Sequence, residues 1–155
     1  MNELRSQLRA TGRIGIVVSS YHERITTKLL EGALACCRDA GVPDSAVDVV
    51  WVSGAFELGS VTAALAEQGR YTALVAIGVV IRGETPHFEF VAGETSRALG
   101  TVSTARALPV GFGLLTVDTM AQALERAGGS AGNKGYEAAE AAIRAADVIR
   151  QVRAS

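Results

Sequence analysis

Short apolar runs and longer amphipathic stretches alternate along this chain, and the alternation predicts its elements. Ile14–Val18 is a continuous apolar run, as expected of a strand buried on both faces. Glu23 to Ala40 has the spacing of a helix, with Ile25, Leu29, Leu30, Ala33, Leu34 and Cys37 on its inner side; Gly41 and Pro43 stop it. Val47–Val52 predicts a second strand, about Phe56 to Gln68 a second helix, and Ala73–Ile81 a third strand. Thr85 suits a helix N-cap and Pro86 the first helical position, so a long helix is expected from there to about Ala107. Pro109 opens a fourth strand, Val110–Thr116. Thr119 and Gln122 form a capping-box pair for a short helix ending at Gly128. After a glycine-rich break over 128–132, Asn133 caps an alanine-rich helix to about Val152.

Strands and helices in strict alternation imply a parallel sheet with helices on both sides. The expected fold is α/β: a three-layer α/β/α, doubly wound, flavodoxin-like arrangement around a four-stranded parallel sheet. The length of 155 residues fits one domain over 1–155, with a polar N-terminal segment at 1–12. In such sheets ligands bind beyond the carboxyl ends of the strands. Here those ends are Ser19–His22, Ser53–Glu57, Val79–His87 and Leu115–Asp118, where polar, aromatic and glycine residues collect.

Composition narrows the function classes. The chain is 48% hydrophobic and 20% charged, enough to build a substantial core and too apolar for disorder. Its net charge is −1 with no basic tract, which gives no reason to expect nucleic acid or an anionic membrane as partner. The only lysines are Lys28 and Lys134, so covalent lysine chemistry has few candidates. Cys36 and Cys37 are adjacent on a helix, point apart, and lack metal or redox spacing; they read as small buried residues of a reducing compartment. No signal peptide, transit peptide or membrane span is visible, and a soluble cytoplasmic protein is the expectation.

The most informative stretch is Arg82-Gly83-Glu84-Thr85-Pro86-His87-Phe88. It joins a buried strand to a helix, so free backbone N–H groups at the helix start would face the strand end and attract phosphate. Arg82 adds a fixed positive charge. His87, one of two histidines, stands in the first helical turn, and imidazole exchanges protons near neutrality. An anion site and a proton carrier at one junction point to acid–base chemistry on a phosphorylated small molecule.

All four junctions together resemble the 6,7-dimethyl-8-ribityllumazine synthase family. The resemblance rests most on Ile77-Gly78-Val79-Val80-Ile81-Arg82-Gly83-Glu84-Thr85-Pro86-His87-Phe88-Glu89, and on Glu125-Arg126-Ala127-Gly128 followed by Gly132-Asn133-Lys134-Gly135. Lys28–Ala33 and Gly54–Glu57 support it. The resemblance implies condensation of 5-amino-6-ribitylaminouracil with 3,4-dihydroxy-2-butanone 4-phosphate: an imine forms, phosphate leaves, and the ring closes with loss of water. It implies no cofactor and no metal. It makes His87 the catalytic proton carrier. It assigns Tyr21 to stacking on the pyrimidine, and Ala55, Phe56 and Glu57 to the ribityl chain. Main-chain groups of Val79, Val80 and Ile81 would meet the pyrimidine edge. Glu84 and Thr85 fall to the phosphate loop, Arg126 to direct ionic contact with phosphate, and Lys134 and Arg82 to its charge balance, with Arg82 also suited to a structural ion pair. Phe112 would reach the site of an adjacent subunit. At Tyr21 the family commonly has phenylalanine or tryptophan, at His22 asparagine and at Ser53 proline, so this chain departs from the pattern there.

The same resemblance implies a homo-oligomer, a pentamer or an assembly of pentamers with shared sites, and makes riboflavin synthase a candidate partner. The short segment 128–132 is of the kind found in shell-forming members. Two other readings differ in class. One is a non-catalytic lumazine- or flavin-binding or cage-forming scaffold on the same fold. The other is a receiver or flavodoxin domain, against which stand Ser19 and Ser20 where a receiver needs acids, and Tyr21–Arg24 where a flavodoxin needs a phosphate loop.

Overall fold

A computed structural model describes residues 1–155. The chain forms β1 (Arg13–Ser19), α1 (Glu23–Asp39), β2 (Val47–Val52), α2 (Leu58–Glu67), β3 (Tyr71–Ile81), α3 (His87–Arg106), β4 (Val110–Val117), α4 (Met120–Arg126), β5 (Ala127–Gly129), β6 (Gly132–Asn133) and α5 (Lys134–Ala154). Strands β1 to β4 make one parallel sheet in the order β2-β1-β3-β4. Helices α1, α4 and α5 bury one face against Ile14, Ile16, Val18, Val75 and Ile77. Helices α2 and α3 bury the other against Val17, Leu74, Ala76 and Val80. The three-layer, doubly wound arrangement expected from the alternation is the one observed.

The differences are local. The third strand starts two residues earlier, at Tyr71. The second helix begins not at Phe56 but at Leu58, after a 3-10 turn over Ala55–Glu57. Regular helix α3 starts at His87 with Pro86 as its cap, because Pro86 (ψ 5°) has not entered helical geometry. Thr85 still acts as a cap, since its Oγ1 accepts from the His87 N–H at 3.4 Å. The glycine-rich break is a small antiparallel ribbon, β5–β6. Strand β2 is not buried on both faces: it is an edge strand, and Val49 and Trp51 lie open on it. Cys36 and Cys37 are free and buried, and burial pushes their thiols up to about 12 and about 11.

Helix α5 approaches its neighbours backbone to backbone. A Cβ at Gly135 would fall well inside contact distance of the Leu29 carbonyl oxygen on α1, and one at Gly111 on that of Ala138. Asn133 completes the junction. Its Oδ1 accepts from the Gly135 and Tyr136 N–H groups at 2.9 and 3.1 Å, and its Nδ2 donates to the Lys28 carbonyl at 3.0 Å. At the far end of α5, buried Asp147 accepts from the Gln7 N–H (2.9 Å), Arg9 Nε (2.7 Å), an Arg150 guanidinium N–H (3.1 Å) and Gln151 Nε2 (2.9 Å). Burial alone would raise this carboxyl; the four donors outweigh it and hold the group well below the usual carboxylate range.

Gly135→Ala forces a methyl into a main-chain oxygen and should destabilise the fold by about 3 kcal/mol or more, read as a lower urea midpoint. Asp147→Asn should cost about 1–3 kcal/mol and loosen residues 7–9, read by amide exchange, because lost bonds to half-exposed arginines are partly replaced by water. Since the folded-state value of Asp147 lies below the unfolded one, its stabilisation is complete above about pH 4 and drains away as pH falls further. Asp147→Asn should therefore flatten the acid limb of the stability curve.

Candidate active site

Where β1 stops and β3 continues, the sheet opens. Pairing between β1 and β3 ends at Val18 and Ile77, whereas β3 stays paired with β4 as far as Ile81 and Val117. The edge of β3 over Val79–Ile81 is therefore unpaired on the β1 side, and peptide N–H and C=O groups there are free to meet a ligand. Their side chains remain in or near the core.

A cleft of about 680 Å³ occupies this opening, within the range of small-molecule sites. Tyr21, Ala55, Phe56, Glu57, Val79, Val80, Ile81 and His87 all line it. The loops that carry them are tied together. The Tyr21 N–H donates to the Ser53 carbonyl at 3.0 Å, and the Ser20 hydroxyl to the same oxygen at 3.3 Å. These bonds use only the carbonyl of residue 53, which proline would also provide, so the serine there leaves this tie intact. Glu57 Oε1 accepts from the Gly54 N–H at 3.0 Å, fixing the turn while its other oxygen stays uncommitted. His22 caps α1 with φ 57° and ψ 48°. That left-handed conformation suits asparagine and histidine alike, which accounts for the departure at this position. Its ring meets the Tyr21 ring edge-on at 4.4 Å.

The loop from Arg82 to Pro86 borders this cleft between Ile81 and His87. The N–H groups of Gly83, Glu84 and Thr85 donate to nothing within the chain, leaving three successive donors exposed. Arg82 is held differently. Its Nε donates to Asp118 Oδ1 at 2.9 Å, another of its N–H groups donates to Glu89, and its guanidinium lies 4.3 Å from the Phe88 ring centroid. The hydrogen bond from Arg82 holds the Glu89 carboxyl below its usual range. The structure thus makes Arg82 the ion-pair partner that locks the loop after β3 to the loop after β4.

Phe112, Arg126 and Lys134 line a second cleft, of about 390 Å³, along the free edge of β4. The two clefts share no residue. Arg126 ends α4, which the Thr119–Gln122 capping box starts, and its Nη1 donates to the Gln122 carbonyl at 3.0 Å. Lys134 begins α5 beside Asn133 and donates to Glu137 Oε1 at 3.2 Å. Phe112 projects outward from an edge strand and is half exposed. Within one chain, then, Arg126 and Lys134 line a different cleft from His87.

Residues beyond the expected set also line the first cleft: His22, Gly54, Phe90, Val91 and Glu94. Phe90, Val91 and Glu94 follow His87 at three, four and seven residues, one stripe of α3. That helical spacing from His87 was the available signal. Among known protein families, the family model described as 6,7-dimethyl-8-ribityllumazine synthase matches residues 11–150.

Proposed function

The chain belongs to the 6,7-dimethyl-8-ribityllumazine synthase family, of riboflavin biosynthesis, and we propose that it condenses 5-amino-6-ribitylaminouracil with 3,4-dihydroxy-2-butanone 4-phosphate. The pyrimidine stacks on Tyr21 and reads the unpaired peptide groups of Val79–Ile81. The ribityl hydroxyls reach the turn at Ala55–Phe56 and donate to the free oxygen of Glu57. The phosphate lies on the N–H groups of Gly83, Glu84 and Thr85 and the Thr85 hydroxyl, where the start of α3 favours an anion. Arg82 positions this loop. The primary amine attacks the ketone and water leaves as the imine forms. Phosphate is then eliminated, and the second nitrogen closes the ring with loss of another water. His87, at the mouth of the cleft beside that loop, moves the protons these steps exchange.

The single observation that carries the assembly reading is the separation of the site residues into two clefts with none in common. A cation at the phosphate suits this chemistry, and in one chain Arg126 lines the other cleft. An edge strand presenting Phe112 outward, beside Arg126 and Lys134, supplies what the first cleft of another copy lacks. A site completed between copies requires a homo-oligomer with head-to-tail contacts; a closed pentamer is the ring we propose.

His87→Ala should slow turnover by about 10²-fold with the fold intact, near the low end for proton transfer because the amine is itself nucleophilic. Arg126→Ala should raise KM for the butanone phosphate about tenfold or more and leave that for the pyrimidine nearly unchanged. The decisive measurement mixes the two impaired variants after dissociation and assays them at butanone phosphate well below the raised KM. Random reassembly pairs an intact first cleft with an intact second cleft at about a quarter of the sites, so lumazine should form faster than the average of the two unmixed variants. A mixture no faster than the average of its components would place both residues in one chain's site and defeat the shared-site reading.

A further inference from the structure

A third cleft, of about 380 Å³, lies at the opposite, amino-terminal end of the sheet. It sits where β3 begins at Tyr71 and where Pro109 leads into β4, on the far side of the molecule from His87. Arg106, Arg150 and Arg153 line it, and no carboxylate does. The chain as a whole carries a net charge of −1, so three guanidinium groups around one hollow are a concentration against its average. The nearest acid in sequence, Asp147, does not neutralise them: it is buried and already accepts four hydrogen bonds. Arg150 gives one N–H to it, while Arg106 and Arg153 make no ion pair.

Ordinary helix chemistry explains part of this. Arg106 ends α3 and Arg153 stands in the last turn of α5, where the helix dipole favours a cation. It explains one arginine at each helix end; it does not explain a shared hollow with an apolar floor of Leu108, Pro109 and Ile149. The backbone turn that brings Arg106 and Pro109 to the same hollow is made by Ala107, with φ 49° and ψ 44°. A residue with a side chain adopts that left-handed conformation only at a cost. The hydroxyls in the wall are occupied: Thr11 donates to Thr72 at 3.0 Å, and Thr72 to the Arg13 carbonyl at 3.5 Å. The arginines alone are left to bind an anion, and guanidinium forks match the oxygens of phosphate.

We propose that this cleft is a second anion site, which takes a phosphate monoester bearing an apolar group, the phosphate on Arg106, Arg150 and Arg153 and the apolar part on the floor. It is separate from the phosphate loop before α3, and its ligand is a small molecule because the feature is a compact, half-open hollow and not a stripe.

The test uses the assembled protein carrying Arg126→Ala, so that phosphate binding at the proposed catalytic site is weakened beforehand. Calorimetric titration with phenyl phosphate should give one site per chain, with affinity at least about tenfold above that for inorganic phosphate. Adding Arg106→Gln and Arg153→Gln, which keep much of the side-chain stems, should weaken phenyl phosphate about tenfold or more. As a measurement needing no substitution at the cleft, phenyl phosphate should protect Arg106 and Arg153 from phenylglyoxal modification, read by peptide mass. Affinity unchanged by the two glutamines, equal affinity for inorganic and phenyl phosphate, or modification of both arginines at the unprotected rate would each overturn the proposal.

Discussion

The closeness of α5 to its neighbours is the constraint on which the rest of this structure depends. Main chain meets main chain at Gly135 against Leu29 and at Gly111 against Ala138, and the alanines Ala138, Ala139, Ala142 and Ala146 let the helix settle onto the sheet. Interiors packed at this density transmit small displacements instead of absorbing them. The first residue of α5 is Lys134, and the ribbon β5–β6 before it ties back to Arg126 at the end of α4. The position of both cations relative to Phe112 is therefore set by glycines that line neither cleft. Asn133 serves the same end: it caps α5 and anchors it to α1 with one side chain.

A second constraint acts on the loop over 82–86. Three free N–H groups in succession form a shape that a loop loses readily unless something holds its ends. Arg82 holds one end by bridging Glu89 and Asp118, and Thr85 holds the other through the His87 N–H. The arginine beside the anion site is thus a brace, and the cation that meets phosphate in the proposed reaction comes from a different surface. Two arginines that look equivalent in the chain have different tasks because one has two carboxylates within reach and the other, Arg126, has a single distant one at 3.6 Å.

Much of this was legible in the chain itself. The strand and helix alternation, the capping box at Thr119, the Asn133 cap and the gathering of Tyr21, Ala55, Phe56, Glu57 and His87 at strand ends follow from local periodicity and capping chemistry, which act over a few residues. What was not legible depends on tertiary position. Val47–Val52 reads as a strand like the others, and only the strand order puts Val49 and Trp51 on an open edge. Spacing indicates that Arg126 follows β4, but not on which side of the sheet it emerges, so its placement in a different cleft from His87 stayed hidden. The overrun of β3 past β1 is a matter of register between strands far apart in sequence. Phe90 and Glu94 were accessible in principle, one and two helical turns from His87.

That overrun bears on how the cleft tolerates genetic drift. Peptide groups at 79–81 are present whatever side chains accompany them, so exchange among valine, isoleucine and leucine there alters packing and leaves the donor and acceptor array intact. Selectivity encoded in this way is shielded from point substitution. It changes only when a strand lengthens, shortens or slips by a residue, and a slip would turn the buried faces of the central sheet outward. Recognition of the proposed heterocycle by these groups would therefore be as durable as the fold.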